Sequence, residues 1–486
     1  MDPIGTITTY FPFINEETKD VLETIMIEAS DYYDFVQKLG ELVLKTDSPI
    51  MVVYFAIHHA ILASDYPLID LIREKYGEHQ ILGPNLFMSS AFQGSVADIE
   101  KVHEMADAIL ATEPEDWIAL EMHFMKFEAD MRNYPTTMYD TSNMERIREL
   151  IDSNPDFGFY DTILFDYLAI RAHHDGDNEG LLNCLNTGIQ IAEKFDDRLR
   201  VAHLLIRKAR FFKGEEGREL LEQAYEIVDS DLGIPENFAD IIYWLSVLDV
   251  IRGDFDKAIS RLLQSVSIRE SVSLNTGNAS LLLSVLYNIV DEPESALEWG
   301  LMAEDQFKSR PYMINRSVLT QIWSLIRLRK LPEAHILLDT TRESVLKSGD
   351  EMQLAWLHFV TGVLEIDRGD FSLASSSIEQ AVRIYENFQW GILYETIFLY
   401  HLAKTEVYSV DAADTVCPSL AILEDKALSE YRPGIHGLVL LLKAELAIMK
   451  NDEAQLREII QQLRKLIETD NLHFLESQYE SLLRKL

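Results

Sequence analysis

The stretch from Ile241 to Ile268 reads IIYWLSVLDVIRGDFDKAISRLLQSVSI, and its pattern decides the fold. An apolar segment runs up to Gly253, and a second segment with apolar residues at helical spacing begins a few residues later. Small residues lie where two such helices would cross, with Ser246 in the first segment and Ala258 and Ser265 in the second. The stretch therefore predicts an antiparallel helical hairpin with a tight turn at Gly253.

The same pattern recurs from Trp356 to Ile384, WLHFVTGVLEIDRGDFSLASSSIEQAVRI, with Gly362 before the break at Gly369 and Ala374 and Ala381 after it. A short polar or glycine-containing break recurs along much of the chain at intervals of 38 to 41 residues. These breaks lie at Gly176, Gly214, Gly253, Asp291, Lys330, Gly369, Val410 and Asn451. Such a period predicts a stacked array in which each hairpin buries its apolar stripe only against its neighbours.

Three features of the two best copies resemble the tetratricopeptide repeat family. These are a small residue in the first helix, a Gly-Asp-aromatic turn, and an alanine, a large apolar residue and an alanine in the second helix. The repeats are longer than the family's usual 34 residues. The resemblance implies an all-α fold, a right-handed α-solenoid of stacked antiparallel helical hairpins, and binding of other proteins rather than catalysis.

The chain divides into four predicted segments. Residues 1–79 form a divergent helical segment or cap, 80–157 irregular helical pairs, 158–471 the regular array and 472–486 a C-terminal capping helix. Pro114 and Pro155, 41 residues apart, occupy the position of a proline between repeats, so the array begins near residue 80 or earlier. Helices are predicted over 16–28, 31–45, 50–63, 66–76, 96–112, 116–132 and 143–152. Whether residues 1–79 are divergent repeats or a cap is open at this point.

The composition excludes several classes of protein. The net charge of −38 creates a field that repels phosphate backbones, so we expect no direct nucleic-acid ligand. No window approaches the ~20 uninterrupted apolar residues of a membrane span, and the start lacks the basic and apolar regions of a signal peptide. The only two cysteines, Cys184 and Cys417, form neither a disulfide framework nor a metal-binding pair. We expect a cytoplasmic protein that does not bind membranes.

The sequence contains none of the common catalytic motifs. GxxxxGK[ST], GxSxG and HExxH are missing, and no GxGxxG follows a strand. We therefore expect no enzyme activity, no cofactor and no metal. The leading interpretation is a protein-interaction scaffold or adaptor that binds a protein or peptide on the concave surface of the array. The alternatives are a ligand- or peptide-sensing regulatory array that acts through a partner, and a structural protein that assembles into homo-oligomers.

One segment departs from the acidic background. Arg198 to Lys213, RLRVAHLLIRKARFFK, contains no acidic residue. Arg200, His203, Arg207 and Arg210 follow steps of three, four and three residues and share one helix face; we refer to them as the basic stripe. We expect the basic stripe to bind a carboxylate, a phosphate or an acidic peptide, because guanidinium groups hold such groups with two parallel hydrogen bonds.

The basic stripe also has a purely structural interpretation, in which acidic residues on neighbouring helices neutralise it. The candidates are Asp161, Asp166 and Asp240.

A second candidate surface is apolar. In the register of the resembling family, Trp323, Trp356 and Phe359 lie on first helices and line the concave side, where they could hold a helix or an extended chain. Aromatic residues at helical spacing are also typical of a buried core. The two interpretations differ in the solvent exposure of Trp323 and Trp356.

Overall fold

A computed structural model describes the protein over residues 16–77, 79, 82, 86, 99–132, 141–212, 214–308, 311–386, 392–409 and 417–485. These residues form helices and no strand, so the predicted all-α fold is confirmed. The chain divides into two compact units. Unit 1 comprises Met1–Trp244 and Ser267–Asn275, and unit 2 comprises Leu245–Val266 and Thr276–Leu486.

Unit 1 contains eleven helices in its described part and shares the next two, α12 and α13, with unit 2. They are α1 (Glu16–Glu28), α2 (Tyr32–Lys45), α3 (Ile50–Leu62), α4 (Tyr66–Tyr76), α5 (Ile99–Leu110), α6 (Asp116–Arg132), α7 (Thr141–Ser153), α8 (Tyr160–His174), α9 (Asn178–Lys194), α10 (Arg198–Ala209), α11 (Glu215–Ile227), α12 (Pro235–Arg252) and α13 (Phe255–Ser271). The seven helices predicted in the first 152 residues agree with α1 to α7, and the predicted residues 96–98 lie outside the described part.

Eleven further helices form the described part of unit 2. They are α14 (Gly277–Ile289), α15 (Pro293–Gln306), α16 (Pro311–Arg327), α17 (Leu331–Ser348), α18 (Glu351–Arg368), α19 (Phe371–Glu386), α20 (Ile392–Ser409), α21 (Pro418–Ser429), α22 (Pro433–Met449), α23 (Glu453–Asp470) and α24 (Glu476–Leu483). Each helix from α14 to α23 packs on the next, and each first helix from α14 to α20 also contacts the first helix of the following hairpin. These contacts are those of the predicted stack of antiparallel helical hairpins. The segment limits predicted at residues 79, 157 and 471 stay predictions.

Left-handed backbone conformations end the first helices at the predicted breaks. Gly176, Gly253, Asp291, Gly369 and Asn451 all have positive φ, and Arg329 does so beside the predicted break at Lys330. Gly214 instead precedes α11 with φ −132°. The predicted break at Val410 lies outside the described residues. A residue in the left-handed region cannot continue a right-handed helix, so these positions fix where each hairpin turns.

Helix starts follow from local chemistry. Asp177, Asp197 and Asp452 each accept a hydrogen bond from the backbone N–H three residues later, at the starts of α9, α10 and α23. Pro293 and Pro332 lie in the first turns of α15 and α17, where the missing N–H has no helical partner to lose.

Small side chains allow the helices of a hairpin to cross closely. Ser246, Ala258 and Ser265 are fully buried. A Cβ atom added at Gly362 in α18 would overlap the side chain of Ile378 in α19. The small residues predicted from the sequence therefore lie at the crossings.

Buried hydrogen bonds join equivalent positions of successive first helices in unit 2. Ser284 of α14 donates to Thr320 of α16 over 3.2 Å, and Asn288 of α14 donates to Ser324 of α16 over 2.8 Å. One hairpin later, the side-chain amide of Asn315 donates to Gln353 of α18 over 2.8 Å. Because a slip between hairpins would break these buried bonds, they favour one register of the stack.

Unit 2 closes on itself. The guanidinium Nε of Arg432, just before α22, donates to the backbone carbonyl of Ile251 at the end of α12. The backbone N–H of Phe474 donates to a carboxylate oxygen of Asp256 over 3.2 Å. The rings of Phe255 and Phe474 lie 5.0 Å apart in an edge-to-face arrangement. The beginning of unit 2 is therefore in direct contact with its end.

We predict that Gly434→Ala destabilises unit 2, because a Cβ at Gly434 would overlap the backbone carbonyl oxygen of Gly253. The backbone cannot move away as a flexible side chain could, so we expect a loss of at least about 2 kcal/mol in the free energy of unfolding. Urea unfolding of the full chain measures it.

The matched control for this variant is Gly349→Ala. Gly349 has a left-handed conformation, with φ +66°, but an added Cβ would meet nothing within 4 Å. Only the left-handed strain applies there, so we expect a loss of about 1 kcal/mol. Equal losses in the two variants would contradict the close backbone contact.

Candidate functional site

The basic stripe lies on the side of α10 that faces away from the core. The residues of α10 outside the stripe that are buried include Leu199, Ala202 and Leu205. His203 is exposed, and Arg200, Arg207 and Arg210 are partly exposed. Arg210 follows the last residue of α10, and the end of the segment at Lys213 lies outside the described residues. The four predicted residues therefore share one accessible face in unit 1.

Two of the three predicted acidic residues pair with the basic stripe. Arg207 Nε lies 2.8 Å from a carboxylate oxygen of Asp166, and Arg210 Nη2 lies 4.0 Å from one of Asp240. Asp240 also pairs with Arg269 of α13. The structural interpretation is therefore correct for Arg207 and Arg210, although Asp240 is shared between two guanidinium groups.

The third predicted acid, Asp161, does not pair with the basic stripe, but an aromatic ring contacts it. Asp161 pairs instead with Arg148, with 3.0 Å between the guanidinium nitrogen and the carboxylate oxygen. The guanidinium of Arg210 lies 4.8 Å from the ring centroid of Trp244, in cation–π contact.

Burial changes the protonation of two groups near the basic stripe. His203 keeps an exposed surface, yet the surrounding protein desolvates its imidazole and lowers its pKa to about 4, although Asp166 opposes the shift. Burial and the charge of Asp240 raise the pKa of Glu236 to about 7. At neutral pH the positive charge of the basic stripe therefore resides on its arginines.

The predicted aromatic surface in unit 2 is a core. Trp323, Trp356 and Phe359 are 0%, 2% and 0% exposed. The rings of Trp323 and Phe359 lie 5.1 Å apart edge to face, and the ring of Phe398 in α20 stacks on Phe359 at 4.6 Å. The expectation of an open apolar groove is wrong, because the rings interlock between α16, α18 and α20.

Unit 2 contains a cavity of about 220 Å³ that the sequence analysis did not predict. Trp323 lines it, so one of the predicted aromatic residues does reach an internal space. Its basic lining residues are Arg327, Lys404, Arg432 and Lys485, and its acidic ones are Asp291 and Glu445. The wall therefore carries four basic and two acidic side chains, and one of the basic ones, Arg432, also lies 3.6 Å from a carboxylate oxygen of Glu430.

Several residues of the cavity wall carry a buried polar atom that has no hydrogen-bond partner within the described part of the chain. These atoms are the indole N–H of Trp323, one terminal nitrogen of Arg432 and the side-chain carbonyl oxygen of Gln478. Arg432 is 3% exposed, and its other terminal nitrogen donates to Thr396 over 3.0 Å. Buried groups without partners cost about 1–3 kcal/mol each, which a bound ligand could recover.

His401 is a buried neutral group on the same wall. Its Nδ1 lies 2.9 Å from the backbone carbonyl oxygen of Ile397. Since a carbonyl only accepts, Nδ1 carries the proton and Nε2 keeps its lone pair. Burial lowers the pKa of His401 to about 3.

Charged residues inside apolar first helices were the sequence signal for this cavity. Lys404 lies in the apolar stretch of α20, and Arg327 ends that of α16.

The described residues include no group of three or more metal-ligating side chains, and none of their helices has the length and apolar character of a membrane span.

Comparison with known proteins gives matches of structure only. No family model and no curated protein match the sequence. Similar solved structures include a Rap protein complexed with competence and sporulation factor, at 14% identity and a TM-score of 0.48, covering 68% of this chain and 96% of that one. Yeast Tom70 is similar at 13% identity and a TM-score of 0.34, covering 93% and 96%.

A signal transduction ATPase from Pyrococcus horikoshii with a tetratricopeptide repeat sensor is also similar. The identity is 12% and the TM-score 0.35, over 96% of this chain and 66% of that one. At such identities and TM-scores these likenesses assign no function.

We predict that Arg207→Met destabilises unit 1, because it leaves the buried carboxylate of Asp166 without its cation. We expect a loss of about 2 kcal/mol in the free energy of unfolding. The double variant Asp166→Asn/Arg207→Met removes both charges, and we expect it to recover at least half of that loss. Urea unfolding of both variants tests the pair, and additive losses would contradict the coupling.

We also predict that the stability of the folded protein depends on pH through His401. Its folded pKa lies below the unfolded value of 6.5, so the unfolded chain binds the proton first as the pH falls. The contribution of the neutral imidazole to stability is complete above about pH 6.5 and is lost progressively down to about pH 3, by at most about 1.4 kcal/mol per pH unit. Thermal unfolding of His401→Gln should therefore depend less on pH in this window than that of the wild type. Identical slopes would be inconsistent with a buried neutral His401.

Proposed function

We propose that this protein is a non-catalytic interaction scaffold that binds a segment of another protein or a peptide along its first helices, with the basic stripe of unit 1 as a contact point. The observation that carries the proposal is the accessible face of α10. The four residues of the basic stripe are exposed or partly exposed, as are Arg198 and Lys208, while the apolar residues of the helix are buried.

Charge around the basic stripe favours an acidic partner. Two carboxylates, those of Asp166 and Asp240, are divided among the guanidinium groups of Arg207, Arg210 and Arg269. Glu236 adds only part of a negative charge at pH 7, because its pKa is raised to about 7. Pairing within the protein therefore leaves an excess of cationic hydrogen-bond donors, and a partner's carboxylates could take these positions.

A second candidate function is a ligand-sensing array that acts through a partner. The cavity of unit 2 favours it, because an internal space with unpaired polar atoms suits a small ligand better than a folded partner.

We predict that His203→Glu disrupts partner binding while leaving the fold intact. His203 is exposed at the centre of the basic stripe, so a carboxylate there competes with the partner's acidic groups for the neighbouring arginines. With the full chain as bait in a host lysate, we expect the captured amount of stripe-dependent partners to fall about tenfold, as quantified by mass spectrometry.

The matched control is Gln190→Glu on the exposed side of α9, which makes the same change of one charge elsewhere in unit 1. It should capture the same partners as the wild type. If His203→Glu retains every partner at wild-type level and wild-type thermal stability, the basic stripe is not a binding surface.

A further inference from the structure

We infer that the cavity of unit 2 is a binding site for a compact organic acid, which places its carboxylate among Lys404, Arg432 and the indole N–H of Trp323 and its apolar body against the aromatic and aliphatic wall. The site lies entirely within unit 2, and the basic stripe lies in unit 1. Either proposal can therefore fail without the other.

The basic side chains of the cavity favour an anionic ligand. Arg327 has its own partner, since it pairs with Asp291. Glu445 accepts a hydrogen bond from the Tyr408 hydroxyl over 2.9 Å. Among the described residues no carboxylate oxygen lies within 4 Å of the ammonium group of Lys404, which lies 5.7 Å from the ring centroid of Tyr408. A largely buried cation without an ion pair is costly unless a ligand supplies the counter-charge.

The environment of Lys404 shows this cost independently. Burial lowers the pKa of its ammonium group, and the charge of Glu445 only partly opposes the shift. A bound carboxylate would favour the ammonium form and raise this pKa.

The unpaired atoms define the polar pattern of the ligand. The indole of Trp323 and the unpaired terminal nitrogen of Arg432 are hydrogen-bond donors, and two donors match the two oxygens of a carboxylate. The carbonyl oxygen of Gln478 only accepts, so it fits a hydroxyl or N–H group of the ligand. The pattern is therefore that of an acid that also carries one hydrogen-bond donor.

The size and the wall of the cavity limit the rest of the molecule. At about 220 Å³ the cavity is smaller than typical drug-sized sites of about 300–1,000 Å³. Its apolar lining includes Phe255, Ile397, Ile435 and Leu438. A compact acid with an aromatic or aliphatic body fills this space, whereas a folded partner does not.

The test uses the full chain and compares small acids with their neutral amides. The probes are hexanoate and phenylacetate, with hexanamide and phenylacetamide as matched neutral molecules. The readout is the indole N–H resonance of Trp323 in a nitrogen-15 spectrum, in which the six tryptophans give six indole signals and Trp323→Phe identifies the one that disappears. We expect the acids to shift this signal in a saturable manner and the amides to bind at least about tenfold more weakly.

Two variants separate the anion site from simple filling of an apolar space. Lys404→Met keeps the length of the side chain without its charge and should weaken binding of the acids about tenfold, while binding of the amides stays unchanged. Lys465→Met removes a lysine from the exposed side of α23 and should bind like the wild type. Thermal unfolding confirms that each variant is folded.

The acid could be free in solution or belong to a glutamate side chain of a partner. A short blocked peptide with one glutamate distinguishes these sources: saturable binding of the peptide identifies a partner's side chain, and binding of only the free acids identifies a small molecule. Both outcomes retain the anion site. The inference is overturned if neither acids nor peptide shift the Trp323 signal at millimolar concentration, if the amides bind as well as the acids, or if Lys404→Met binds the acids like the wild type.

Discussion

In the hairpin of α18 and α19, the two helices cross closely because the side chains at the crossing have only a few atoms. A methyl group added at Gly362 would overlap the side chain of Ile378. Ala374 and Ala381 are buried on the same helix as Ile378. Close crossing lets the larger side chains interdigitate, which is where most of the burial energy of such a stack arises. The hydrogen bonds between Asn288 and Ser324 and between Asn315 and Gln353 then hold successive hairpins in one register.

Closure of unit 2 brings together residues from its beginning and its end at the cavity. Residues near position 255 contact residues near position 474, which orders α24 against the rest of the unit. Gln478 and Lys485 follow that contact, and both line the cavity. Arg432 belongs to the same closure through its bond to Ile251, and it also presents an unpaired nitrogen to the cavity. The contacts that hold the unit together therefore also position the groups that would bind a ligand.

The features that the sequence predicted correctly, such as turns and helix faces, depend on residues close together along the chain. The breaks at Gly253, Gly369 and Asn451 were correct because a left-handed residue is a local requirement of each turn. The basic stripe was also found, because three- and four-residue steps define a helix face. Its pairing with Asp166 and Asp240 was recognised as an alternative, but only the structure shows that Asp161 belongs to Arg148.

The charges of Lys404 and Arg327 in apolar helices were a sequence signal, but the cavity itself was not predicted, because its wall joins residues more than 200 positions apart. The aromatic residues were misassigned for a related reason: helical spacing shows that Trp356 and Phe359 share a face but not what covers it. Phe398 of the following hairpin covers them.

The most direct test of this account is hydrogen–deuterium exchange at residues 472–476 in the full chain, compared between the wild type and Asp256→Ala. The account predicts slow exchange at the Phe474 amide in the wild type and fast exchange in the variant, with α18 unchanged in both. Equal exchange at Phe474 in the two proteins would contradict the closure of unit 2 and, with it, the origin of the cavity.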